Sequence, residues 1–123
     1  MAGYATVGTN NVEKAVAFYD ELMAVAGWGK AFDHPRGGRI WRSPGGDMFG
    51  VLKPYDEKAA TVGNGSMIGL GLDSQAHIDA LHAKALALGG ADEGAPGVRG
   101  GGAAYFAYFR DLDGNKLCAY KFG

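Results

Sequence analysis

One pattern runs twice through this chain: a short apolar strand, an amphipathic helix, then further strands. In the first pass Tyr4 to Thr9 reads as a strand. Val12, Ala15, Val16, Tyr19, Leu22, Met23 and Ala26 then fall at helical spacing and give one buried stripe. Asn10, with Glu13 three residues on, forms a capping-box pattern, and Gly27 ends the helix. Three strands are predicted next, Trp28 to Asp33, Gly38 to Ser43 and Asp47 to Lys53. His34-Pro35-Arg36-Gly37 and Pro44-Gly45-Gly46 supply the turns between them.

The second pass starts with a strand over Ser66 to Leu72, followed by an N-cap at Asp73 or Ser74. Ile78, Leu81, Ala85 and Leu88 mark a second helical stripe, stopped by Gly89-Gly90. Ala91 to Gly102 is Gly-rich and carries only a weak signal for a short edge strand. The closing hairpin is the clearest local feature. Its strands are Tyr105 to Arg110 and Lys116 to Phe122, and Asp113-Gly114 makes the turn. Pro54 to Gly65 mixes charge, Pro and Gly and reads as the connection between the passes. The expected fold is therefore α+β: one domain of two βαβββ modules, about 1–56 and 64–123, each covering one sheet face with a helix.

Composition narrows the function. The chain has 123 residues and a formal net charge of −1, which gives no general attraction to nucleic acid or membrane. It has 22 glycines without a period, a sign of many turns and close backbone approaches. Cys118 is the one cysteine, so no intrachain disulfide forms, which fits a reducing compartment. No apolar run approaches the roughly 20 residues of a membrane span, and no signal-peptide pattern opens the chain. The expected setting is cytoplasmic.

Asn11 to Tyr19 after a short strand resembles the first strand and helix of the vicinal oxygen chelate superfamily. This is the glyoxalase, bleomycin-resistance and extradiol-dioxygenase group. Asp111-Leu-Asp-Gly-Asn115 is similar to that family's aspartate-proline-aspartate-glycine-asparagine turn, with Leu112 where proline is common. Ser66 to Asp73 before a helix is similar to the start of its second unit. The resemblance implies paired modules forming a cupped mixed sheet around a cleft, and a homodimer. It also implies a divalent metal held by a histidine on the first strand, a histidine opening the second unit and a glutamate on the last strand.

At those positions this chain carries Tyr4, Met67 and Cys118, with Gly50 near the fourth-strand position. A phenol loses its proton only near pH 10 and a thioether is a weak ligand, so the trio does not suit a hard or borderline dication. The histidines offer no substitute. His77 and His82 lie about 140° apart around their helix, and His34 sits in a loop before Pro35. No metal or other cofactor is expected.

Alternation groups Lys116, Cys118 and Tyr120 on one face of the last strand, and Phe106, Tyr108 and Arg110 on one face of the strand before it. The family register turns Phe106 and Tyr108, and the face with Lys116, Cys118 and Tyr120, toward the cup. Arg39 and Trp41 alternate together on a middle strand, where an arginine beside aromatics suits a planar anion. The expected pocket is lined by Tyr4, Arg39, Trp41, Met67, Phe106, Tyr108 and Cys118. Its composition, apolar with few polar groups, is that of a small-molecule pocket. The first functional expectation is metal-independent binding of a small organic ligand. The alternative is a lyase, isomerase or transferase acting on a small oxygenated substrate, with Tyr108, Cys118, Lys116 or Arg39 in acid–base or electrophilic roles.

Overall fold

A computed structural model describes residues 2–123. In the first half, β1 (Tyr4–Gly8) leads into α1 (Val12–Ala26), then β2 (Gly29–Asp33), β3 (Gly38–Arg42) and β4 (Met48–Leu52). In the second, β5 (Ile68–Gly71) leads into α2 (Gln75–Ala87), then β6 (Ala91–Arg99), β7 (Ala104–Arg110) and β8 (Lys116–Phe122). Each half closes its own four-stranded mixed sheet, in the orders β1-β4-β3-β2 and β5-β8-β7-β6. The first strand of each half runs parallel to the last, and the other pairs are antiparallel. This is the doubled βαβββ arrangement that the repeated pattern predicts.

Local chemistry sets the helix ends. Asn11, one residue later than expected, caps α1 by accepting a hydrogen bond from Lys14 N at 3.1 Å. Gly27 closes α1 in the left-handed region at φ 83°. Ser74 caps α2 through the same contact to His77 N. α1 buries Ala15, Phe18, Tyr19, Leu22, Met23 and Ala26, and α2 buries Ile78, Leu81, His82 and Ala85. These residues join Trp41, Phe49, Val51, Leu70, Phe109 and Leu117 in one continuous core beneath both sheets.

The Gly-rich stretch forms the edge strand that its weak signal suggests, but a longer one. It forms β6, a nine-residue edge strand with register shifts around Gly94. It ends in a turn over Gly100–Gly102, where all three residues have positive φ. The pairing comes from the long neighbour β7 rather than from the intrinsic preference of β6.

The halves are stitched where α1, the end of β1 and the β7–β8 turn meet. Asn115 Nδ2 donates to Gly8 O at 2.9 Å, and Asn10 N donates to Asp113 Oδ1 at 2.9 Å. His77 Nε2 donates to Val25 O at 2.6 Å, joining α2 to the end of α1. Among the described residues, no helix is long and apolar enough to cross a membrane.

Candidate functional site

The face of the second sheet turned away from the core is built in rows. One row runs Gly94, Tyr108, Cys118, Gly69 across β6, β7, β8 and β5. The next runs Gly97, Phe106, Tyr120, Gly71. Glycine therefore ends both rows, with Tyr108 and Cys118 in the middle of one and Phe106 and Tyr120 in the middle of the other. The glycines give the rings room to lie over the neighbouring strands. A Cβ on Gly94 would stand 2.9 Å from the Tyr108 ring, and one on Gly69 would stand 3.0 Å from Tyr120.

The rings form a floor. Phe106 lies between Tyr108 and Tyr120, at centroid distances of 5.7 and 5.5 Å and interplanar angles of 18° and 22°. Phe122 meets Phe106 and Tyr120 edge-on. Tyr108, Phe106 and Tyr120 are half-buried, and Tyr120 also lines the neighbouring cleft. Two cations stand over Tyr108: Lys116 Nζ at 5.3 Å and the Arg99 guanidinium carbon at 5.7 Å from its centroid.

A cleft of about 630 Å³ borders this floor along the seam between the edge strands β1 and β5. Tyr4 lines it from β1 and Tyr120 from β8, and Asp47, Asp73 and His77 supply polar groups. Tyr4 is 57% exposed and Met67, immediately before β5, is 44% exposed. Cys118 is 1% exposed, and burial pushes its thiol up to about 11, against a small opposing pull from Lys116. It is a protonated wall residue beneath the rings.

Arg39 and Trp41 do not join this site. They share a face of β3, as alternation requires, but it is the face covered by α1. Trp41 is 2% exposed, packs on Tyr19, and donates its indole N–H to Asp20 at 3.1 Å. Arg39 donates to Asp20 at 2.6 Å and to Asp33 at 2.7 Å. Two carboxylates at the rim of α1 and β2 thus let an arginine sit on the core side of a sheet. Tyr120 joins the floor from the face of the last strand that alternation gives it: it stands opposite Phe106 of β7 and Gly71 of β5, and it lines the same cleft as Tyr4.

The residues that the resemblance sets at the family's metal positions do not suit a dication. Tyr4 carries a phenol, Met67 a thioether, Cys118 a buried protonated thiol, and Gly50 no side chain. Among the described residues, no three His, Cys, Asp or Glu side chains converge as a metal site would need. The histidines are engaged elsewhere. His34 Nδ1 accepts from Arg36 N, His77 holds Val25 O, and the buried His82 pairs with Asp92 at 3.1 Å.

Comparison with known proteins agrees with the architecture. The chain is similar over 96% of its length to a glyoxalase/bleomycin resistance protein from Albidiferax ferrireducens, with 39% identity, 95% of that chain covered and a TM-score of 0.87. A glyoxalase/bleomycin resistance protein/dioxygenase family enzyme from Burkholderia phytofirmans shares the fold at 17% identity, with 98% of each chain covered and a TM-score of 0.76. Lactoylglutathione lyase from Agrobacterium tumefaciens shares it at 18% identity, with 98% and 92% covered and a TM-score of 0.72. Comparison with curated proteins finds no match. The family model for the Glyoxalase/Bleomycin resistance protein/Dioxygenase superfamily matches residues 2–119, and the chain belongs to that superfamily.

Proposed function

We propose that this protein binds a small organic ligand on the aromatic floor beside the seam cleft, without the metal its superfamily commonly uses. The observation that carries this reading is the run of near-parallel, half-buried rings, Tyr108, Phe106 and Tyr120, on the sheet face turned away from the core. Aromatic faces supply large contact area at low entropic cost, and the glycines at the row ends keep the floor flat. The chemistry of Tyr4, Met67 and Cys118 favours an organic occupant over a dication at the same place. Catalysis finds less support. The thiol of Cys118 is held protonated and buried, and its neighbour Lys116 lies over Tyr108.

The test is a thermal-shift screen of aromatic acids, antibiotics and thiol conjugates in the presence of EDTA. A ligand at about a hundredfold excess over its Kd stabilises by about 2.7 kcal/mol, which moves the melting point by several degrees. The proposal expects such a ligand, and expects Tyr108→Ala to lose it while keeping the fold. Ligands that act only on metal-loaded protein, or that ignore Tyr108→Ala, contradict it. The superfamily resemblance extends the proposal to a homodimer of the 12.8 kDa chain, measurable by light scattering on eluting protein.

A further inference from the structure

Among the described residues, six of the twelve Lys and Arg side chains, Lys30, Arg36, Arg39, Lys53, Lys84 and Arg110, pair with a carboxylate, and two of the six that do not stand at the floor. Arg99 and Lys116 have no such partner within 4.0 Å among the described residues. Arg99 donates only to the carbonyls of Ala95, at 2.8 Å, and Val98, at 3.4 Å. A guanidinium has five N–H donors, so its hydrogen bonding is far from exhausted. Both unpaired cations stand over one ring, Tyr108, at one end of the floor. The third cation of that face, Arg110, is already held by Glu93 at 2.9 Å.

We infer that the occupant of the floor is a planar aromatic anion. Its ring system lies over Phe106 and Tyr120, and its anionic group sits between Arg99 and Lys116 at the Tyr108 end. The inference rests on the binding reading above and adds the ligand's chemical class. Three features select it. Near-parallel rings favour a flat partner over a saturated one. Two cations without carboxylates favour an anion and repel a cationic ligand. Charge-assisted hydrogen bonds from a guanidinium and an ammonium are about twice as strong as neutral ones, so the charge contributes affinity as well as selection. The local acids do not reverse this sign, because Glu93 is bound to Arg110, and Asp92 accepts from Gly94 N and pairs with His82.

The experiment uses three probes of matched size on the full chain: 2-naphthoate, its neutral analogue 2-naphthylmethanol, and the saturated decahydro-2-naphthoate. Binding is measured by isothermal titration on wild type, on Arg99→Gln with Lys116→Gln, and on Tyr108→Ala. Circular dichroism checks that each variant is folded, which the half-exposed positions of Arg99 and Lys116 favour. The inference expects naphthoate to bind about tenfold or more tighter than the alcohol. It expects the double variant to erase that difference, and decahydro-2-naphthoate to bind weaker than naphthoate. If the alcohol equals naphthoate on wild type and the double variant changes nothing, the anionic class is wrong. In that case loss of binding on Tyr108→Ala still supports the floor as a pocket. If no planar probe binds, or binding survives Tyr108→Ala, the pocket reading falls as well.

Discussion

The Tyr19 hydroxyl donates to Asp111 Oδ2 at 2.6 Å across 92 positions of sequence. It ties the first helix to the closing turn, and so one module to the other. Asp111 is buried and spends its remaining lone pairs on Asp113 N, Asn115 N and Asn115 Nδ2, all within 3.0 Å. The carboxylate therefore shapes the Asp113-Gly114 turn and holds α1 against it. Burial first, and the Asp111 charge second, raise the Tyr19 pKa well above its usual value.

Tyr19→Phe keeps the ring and removes this donor. We expect a loss of about 1–3 kcal/mol at neutral pH, read from urea denaturation. A raised pKa means the folded state holds the proton more tightly, so this contribution is full below about pH 10 and fades as pH rises beyond it. Wild type should lose its advantage over Tyr19→Phe in alkaline solution. An advantage that grows with pH would contradict the assignment.

Trp41→Ala should behave as a core deletion. Trp41 packs on Tyr19 and bonds Asp20 beneath α1, so the expected cost is about 3–5 kcal/mol. Tyr108→Ala, on the open face, should cost less stability and more ligand binding. Paired melting and titration experiments separate the two roles.

How legible was this in the sequence? The helices, the hairpin and the doubled order were, because each rests on local spacing and capping. β6 was legible only as a weak edge-strand signal, since its glycines and Pro96 give little local preference and its pairing is imposed by β7. Alternation grouped Arg39 with Trp41 correctly but could not say which face α1 covers. Ile40 and Trp41 are both buried, so their burial does not separate the faces either. The floor was half legible. Phe106, Tyr108 and Cys118 followed from alternation and family register, whereas Arg99 reaches Tyr108 only once β6 is paired.

Gly94→Ala tests the flatness of the floor. Its Cβ would stand 2.9 Å from the Tyr108 ring, so the ring must tilt. We expect about 1–3 kcal/mol of destabilisation and weaker binding of planar ligands, with unchanged secondary structure by circular dichroism.

Cys118 should resist modification. With its thiol pushed up to about 11, thiolate is scarce at pH 8, and burial hides the sulfur. Reaction with a disulfide reagent in the native state should be at least about a hundredfold slower than in guanidinium. A fast native reaction would point to an open, activated thiol and revive a nucleophilic role.

The most direct measurement of the central claim is metal content by elemental mass spectrometry. Untagged protein is purified without chelator, and a second aliquot is exposed to Mn, Fe, Co, Ni and Zn, then desalted. The proposal sets Tyr4, Met67 and Cys118 at the superfamily's ligand positions, with Gly50 near the fourth, and on that reading both aliquots should be free of stoichiometric metal. One bound metal per chain in either aliquot would contradict the account and restore a chelating site built from other residues.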